Sequence, residues 1–252
     1  MGHWATAQQL FLGALVFARI ASLVMTMPGL GDQGAPPQLR LGFAVLMSLV
    51  ITPVVQPQLP AAIPDDLGDL VALVLREVLI GLAIGAILRA FLAAMSTAGE
   101  IISIQTTLSF AQTANPTTGQ QNTTLATFLT LLATVLVMTT DLHHYFIGAL
   151  VRSYSLFPFG HPPPVRDFAD LAIRTTAGAF ALGVQLSAPI LVFSLIFNLT
   201  VGLVGRAMPS FQIFFAATPL HVLFGLSLFA LSLGLMGSFW IDRYRQVLAA
   251  FG

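Results

Sequence analysis

The sequence predicts an all-α, membrane-type protein with about six hydrophobic crossings or hairpin helices, ending in a C-terminal helical hairpin. The first reason is composition. The chain is 56% hydrophobic and only 8% charged, whereas soluble domains carry about 25% charged residues. The second reason is order along the chain, because long apolar runs alternate with connectors rich in Pro, Gly and Asp. Such a chain is expected to lie in a membrane or to be equally hidden from water.

The apolar segments differ in length more than an evenly spaced bundle requires. A helix needs roughly 20 residues to cross a 30 Å hydrocarbon core. Leu41–Val55 is short by that measure, and Leu70–Ala111 is too long for one crossing. These lengths predict helices that are tilted, broken or packed inside a larger assembly. The expected segments are Gln9–Leu30, Leu41–Val55, Leu70–Met95, Thr97–Ala111, Leu125–Thr140, Leu142–Phe157, Leu171–Val204 and Gln212–Ile241.

Turn-forming residues mark the connectors between these segments. Loops are predicted at Pro28–Pro37, at Pro57–Asp69 and at Pro158–Asp170, the last of which contains three consecutive prolines. Gly205–Ser210 separates the last two apolar segments, so these two are expected to form a helical hairpin.

Composition and motifs argue against several classes of function. The formal net charge is zero, so no surface for nucleic acid is expected. There is no cysteine and no P-loop. Gly29–Asp32 matches the GxGD pattern of intramembrane aspartyl proteases, but neither candidate second carboxylate, Asp141 or Asp167, sits in a Tyr-Asp motif. The adjacent His143 and His144 point about 100° apart on a helix. The chain is therefore predicted to be no enzyme, with no cofactor and no metal site.

An uncharged polar stretch interrupts the apolar helices in the middle of the chain. Residues 101–140 contain no ionisable side chain, and Gln112–Thr124 is rich in amides and hydroxyls. Non-helical backbone survives in a membrane protein only where it is buried in protein or lines a watery cavity. This stretch predicts a constriction or plug in a conduit. Phe110 beside it is expected either to pack against a helix or to act as a hydrophobic gate.

Several charges lie within or beside the apolar segments, where each costs several kcal/mol unless it is paired or reaches water. Arg76 and Glu77 are helix neighbours and do not face each other, so each is expected to find a partner on another helix or another subunit. A proton relay is the alternative, but no alternating pattern of His, Asp and Glu supports it. The charges assigned to structural pairing or assembly are Arg19, Arg76, Glu77, Arg89, Glu100 and Arg206.

Three motifs in order give the chain a resemblance to a known family. Phe17-Ala18-Arg19-Ile20 and Arg40-Leu41-Gly42-Phe43-Ala44 are found near the start. Gly99-Glu100-Ile101-Ile102-Ser103-Ile104-Gln105 runs toward Asn115-Pro116-Thr117-Thr118-Gly119-Gln120. Gly205-Arg206-Ala207-Met208-Pro209-Ser210-Phe211 begins the last motif. Together these motifs resemble the FliR/SctT family of bacterial type III export, over about residues 11–244.

The resemblance implies a specific assembly. One such subunit joins P-type and Q-type subunits in a hetero-oligomeric export gate, with the B-type export switch protein nearby, and unfolded protein substrates pass through. It implies a P-like part at residues 1–174 and a Q-like hairpin at residues 175–252. The family's plug loop corresponds to residues 110–122, here called the plug segment. Its expected channel residues are Phe110, Gln112, Asn115, Pro116, Gly119, Gln120, Gln121 and Asn122.

The Asn115–Gln121 sequence favours the flagellar branch of that family over the injectisome branch. The expected location is therefore the bacterial inner membrane at the flagellar basal body, in contact with membrane lipid. An independent small-molecule transporter is the rival class. It would need inverted internal repeats and a midplane site, and the sequence suggests neither.

Overall fold

The computed structural model describes residues 7–27, 36–60, 63–64, 66–109, 123–159, 165–208 and 213–249. The described residues form seven α-helices and one short 3₁₀ turn, with no strand among them. The helices are α1 Ala7–Thr26, α2 Pro37–Val55, α3 Leu67–Gln105, α4 Thr124–Thr139, α5 Leu142–Leu156, α6 Val165–Ala207 and α7 Ile213–Ala249. The all-α fold class is confirmed.

The helices α3 and α6 are both longer than the segments expected from the sequence. The separation expected between Met95 and Thr97 is wrong, because α3 runs unbroken for 39 residues. No proline or turn motif stands there to end the helix, and at about 1.5 Å per residue it reaches about 58 Å. The long helix around Pro189 is also continuous, as α6 has 43 residues with that proline inside it.

Five described helices are long and apolar enough to cross a membrane, judged by length and composition. They are α1, α2, α3, α6 and α7, and α4 is a shorter apolar helix of 16 residues. The expected count of about six is reached only if α4 is included. The C-terminal pair α6 and α7 supplies the two long helices of the predicted hairpin, since ring contacts join Phe193 and Phe197 on α6 to His221 on α7.

The chain divides into two compact units. Unit 1 comprises Met1–Ala90, Thr140–Thr176 and Arg245–Gly252, and unit 2 comprises Phe91–Thr139 and Ala177–Tyr244. The helix α3 contributes to both units, as does α6. The boundary near Arg174 between P-like and Q-like parts falls inside α6 and stays a prediction.

Unit 1 is built on a close crossing of α1 and α3. Gly81 and Gly85, four residues apart, lie on one face of α3. A Cβ added to Gly81 would collide with the Arg19 carbonyl oxygen, so the glycine permits direct backbone contact. A Cβ at Gly85 would meet the Thr26 side chain in the same way. Small residues at this spacing let apolar helices approach closely.

Candidate functional site

A buried ion pair lies where α1 and α3 cross in unit 1. Arg19 is fully buried and Glu77 is 2% exposed. The Arg19 Nε donates to Glu77 Oε2 at 2.6 Å, and Nη2 donates to Glu77 Oε1 at 3.1 Å. This two-point geometry matches the planar guanidinium to the carboxylate. The pair therefore neutralises two charges that would otherwise be isolated in an apolar interior.

The remaining donors of Arg19 are also used. Nη1 donates to Ser153 Oγ and Nη2 donates to the Phe157 carbonyl, both at 3.1 Å. The guanidinium carbon lies 4.0 Å from the Tyr154 ring centroid and 5.3 Å from that of Phe159. Such cation–π contacts add to the pairing. Arg19 thus ties α1, α3 and the C-terminal end of α5 together.

The tyrosine beside this ion pair stays neutral. Burial raises the pKa of the Tyr154 phenol above its ordinary value, and the charges of Arg19 and Glu77 act on it in opposite senses. Its hydroxyl lies 3.5 Å from the Val16 carbonyl oxygen, to which it donates. Tyr154 therefore supplies a ring face and a hydrogen bond without adding a third charge.

Glu77 was expected to find a partner on another helix or another subunit, and both Glu77 and Glu100 have partners within the chain. Glu77 pairs with Arg19, and Glu100 accepts a hydrogen bond from the Thr123 backbone N–H. Both partners are far along the chain, 58 and 23 residues away, which explains why local spacing did not reveal them. Arg76 and Glu100 are half-buried, whereas Arg89 and Arg206 are exposed. The role of these charges in assembly stays a prediction.

The plug segment itself, including all of its predicted channel residues, lies outside the described residues. The structure does describe the residues on both sides of it, in unit 2. On the C-terminal side, Glu100 Oε1 accepts from the Thr123 N–H at 2.8 Å, and Ser103 Oγ donates to Thr123 Oγ1 at 2.9 Å. Thr123 and Ser103 are buried. Two side chains of α3 therefore fix the residue that directly follows the plug segment.

On the N-terminal side, α3 ends at Gln105 and a turn follows. Ser194 of α6 donates to Gln105 Oε1 at 2.8 Å and also accepts from Asn198 Nδ2 at 3.3 Å. Thr107 has φ of 61°, a left-handed conformation that is uncommon for a residue with a branched side chain. The approach to the plug segment is thus a sharp turn held against the C-terminal hairpin.

Some of these positions were missed by reasoning from the sequence. The motif that contains Gly99, Glu100 and Gln105 was recognised, but the roles of Ser103, Thr123 and Ser194 were not. One signal was available, because Gly99, Glu100 and Ser103 fall on adjacent positions of one helical face. A GxxxG pattern at Gly81–Gly85 was also present and pointed to a close helix crossing.

The hairpin of α6 and α7 contains a buried histidine. His221 is 5% exposed, and its ring stacks on Phe197 at a centroid distance of 4.5 Å and an interplanar angle of 5°. Its Nε2 has no hydrogen-bond partner among the described residues. The described residues also hold no cluster of three or more His, Asp or Glu side chains placed for a metal ion.

Residues 10–247 match the family described as bacterial export proteins, family 1. The chain belongs to this family. The flagellar biosynthetic protein FliR of Caulobacter vibrioides is 57% identical over 251 residues, covering 100% of both chains. The protein of the same name from Escherichia coli K12 is 33% identical over 248 residues, covering 97% of this chain and 92% of the relative. The one from Bacillus subtilis is 26% identical over 211 residues, covering 82% and 80%.

Family membership agrees with the architecture. The resemblance to the FliR/SctT family is confirmed, and the relatives are named for flagellar biosynthesis. The chain is thus a membrane component of the flagellar protein-export apparatus, which assembles with other export components. The apolar helices α1, α2, α3, α6 and α7 suit that setting.

Proposed function

We propose that this chain is the R-type subunit of the flagellar export gate and that its plug segment closes the protein-conducting channel. The observation that carries the proposal is the pair of fixed flanks around residues 110–122. Thr123 is bound to α3 on one side, and Gln105 is bound to α6 on the other. An uncharged, amide-rich segment held at both ends suits a reversible closure, because it neither attracts nor repels unfolded substrates of varied charge.

Exposed apolar surface supports assembly with partner subunits. In the isolated chain, many large apolar side chains on the two helices of the C-terminal hairpin are exposed. Exposed apolar surface of this extent marks a region that contacts protein or lipid. We propose P-type and Q-type gate subunits as those partners, with the B-type switch protein as a further contact. The exposed side chains are Ile173, Phe180, Val192, Leu195, Ile196, Leu199, Leu203, Val204, Phe215, Leu220, Leu223, Phe224, Leu231, Leu235 and Phe239.

The proposed subunit is not an enzyme and needs no cofactor of its own. The energy for export would come from other components or from the proton gradient. We place it in the bacterial inner membrane at the flagellar basal body, with lipid around the parts that partners leave uncovered. The flagellar names of the relatives favour this branch over the injectisome alternative.

A shortened plug segment tests the closure. Deleting Pro116–Gln121 should leave the complex intact, because the flanking contacts at Gln105 and Thr123 remain. Ions or small solutes should then leak across the membrane, as measured by conductance or by solute-induced swelling of cells. Replacing Gly119 with Val is the matched variant: it keeps the length but restricts the backbone, and it should impair motility. An intact complex with no added leak would place the seal in another subunit.

Purification distinguishes a gate subunit from an independent transporter. A transporter that works alone should be monodisperse in detergent without partners. A gate subunit with this much exposed apolar surface should aggregate alone and become soluble on co-expression with P-type and Q-type subunits. A stable, partner-free monomer would count against the gate assignment.

A further inference from the structure

The first turn of α4 has an N-terminal cap whose two halves come from different helices. Thr123 precedes the first residue of α4, and its Oγ1 accepts from the Ala126 N–H at 3.3 Å. This is the usual action of an N-cap threonine on the third helical residue. In a complete capping box, a Glu or Gln at that third position reaches back to the N–H of the cap residue. Here that position is Ala126, which has no such side chain.

The missing half is supplied by α3. Glu100 Oε1 accepts the Thr123 N–H at 2.8 Å, which is the bond that a glutamate at position 126 would make within the helix. Ser103 Oγ donates to the same threonine hydroxyl. The hydrogen bonds of Thr123 are therefore shared between its own helix and α3.

Close packing explains why the cap is split. A Cβ added to Gly99 would collide with the Ala126 Cα and would lie 2.6 Å from its backbone nitrogen. The backbones of α3 and α4 touch at this point, and Ala126 is fully buried. A long side chain at position 126 has no space there, so the carboxylate has to come from the neighbouring helix. Glu100, one residue after the contact, is placed to provide it.

We propose that Glu100 is a positioning residue for Thr123, the residue that directly follows the plug segment, because it completes the cap of α4 from α3. The effect on the channel rests on the proposed function, whereas the cap does not. A hydrogen bond to an ionised acceptor is stronger than one between neutral groups. Losing it leaves the Thr123 N–H without this acceptor and loosens the start of α4.

The test compares three variants in the complex co-expressed with P-type and Q-type subunits. Glu100→Ala removes the acceptor, Glu100→Gln keeps an acceptor oxygen without the charge, and Thr130→Ala is the control. The Thr130 hydroxyl donates to the Ala126 carbonyl of its own helix at 2.8 Å, so its loss leaves the cap in place. Amide hydrogen exchange of the peptide spanning residues 123–130 reports on the cap, and conductance reports on the seal.

The expected effect is largest in the alanine variant. Glu100→Ala should exchange about tenfold faster at the start of α4, as expected for losing a hydrogen bond to a charged group, and it should leak at normal complex yield. Thr130→Ala should stay close to the unmodified complex in both measurements. Glu100→Gln should exchange more slowly than Glu100→Ala but faster than the unmodified complex, because its acceptor is neutral. If Glu100→Ala lowers the yield of complex, Glu100→Gln tests the cap instead. Restored yield with slow exchange in Glu100→Gln supports the cap. An equally low yield overturns it.

Failure of this inference differs from failure of the proposed function. Unchanged exchange in Glu100→Ala overturns the split cap. Suppose that the Pro116–Gln121 deletion leaks, and that Glu100→Ala shows faster exchange but no leak. That result overturns the positioning role alone. If the deletion also fails to leak, the closure proposal falls, while faster exchange in Glu100→Ala still supports the cap.

Discussion

The Arg19 guanidinium meets the Glu77 carboxylate through two hydrogen bonds, at 2.6 and 3.1 Å, across the contact of α1 and α3. The Gly81 backbone is in contact with the Arg19 carbonyl one turn further along α3. The ion pair and the glycine therefore act on the same crossing: the small residue allows the approach, and the paired charges fix its register. Polar contacts that specify register are an attested use of buried charges.

Removing one partner of this pair should destabilise the protein strongly. Glu77→Ala leaves Arg19 buried without its counter-charge, which typically costs about 3–5 kcal/mol. Asp170→Ala is the control, because that acidic side chain is exposed and is not among the charges assigned to assembly. The readout is the thermal unfolding midpoint of the purified complex. Equal midpoints for the two variants would show that the ion pair contributes nothing to stability.

Substitution of the glycine at the crossing should also destabilise the protein, though by less than loss of the ion pair. Gly81→Ala places a methyl group against the Arg19 carbonyl and the Ser22 side chain, so α1 and α3 must separate. Overpacking of this kind costs roughly 1–3 kcal/mol. Gly13→Ala on α1 is the control, since nothing lies within 4 Å of its added Cβ, and it should be neutral or slightly stabilising because alanine favours helix. A harmless Gly81→Ala would mean that the crossing is loose.

The sequence predicted the helical class and the C-terminal hairpin because both depend on local signals, namely apolar runs and the break at Gly205–Ser210. It also predicted that Arg19 and Glu77 need partners, because charge in an apolar helix is costly wherever the fold places it. It did not predict that they pair with each other, since 58 residues separate them and the pairing depends on the crossing of two helices. The support of Thr123 by Glu100 was missed for the same reason.

The buried histidine of the hairpin offers a test of an unmet hydrogen bond. His221→Phe keeps a ring stacked on Phe197 and removes the Nε2 atom, which has no partner among the described residues. Leaving such a group unsatisfied costs about 1–3 kcal/mol, so this variant should raise the unfolding midpoint of the complex. His221→Ala should lower it because the stacking is lost. If His221→Phe instead lowers the midpoint, the unsatisfied Nε2 does not destabilise the complex.

Arg206 should matter more for assembly than for gating. It lies in the last turn of α6 and is exposed in the single chain, where its positive charge complements the carbonyl end of the helix. The next helix begins nearby, since the Ile213 side chain lies 3.6 Å from a Cβ built on Gly205. A guanidinium at this turn can donate several hydrogen bonds to backbone carbonyls or to a neighbouring subunit. Arg206→Ala should therefore reduce the amount of intact complex on native gels or after crosslinking.

Replacement by lysine separates two explanations for the Arg206 effect. Lysine keeps the charge but not the planar fork of donors. If Arg206→Lys restores the yield, the interaction with the helix end is sufficient; if it does not, the fork binds a group that requires several donors at once. In either case, the complexes that do form should still export, because the contacts at Thr123 and Gln105 lie elsewhere in the chain. Normal yield of Arg206→Ala with blocked export would contradict the assembly role and would place Arg206 in the transport path instead.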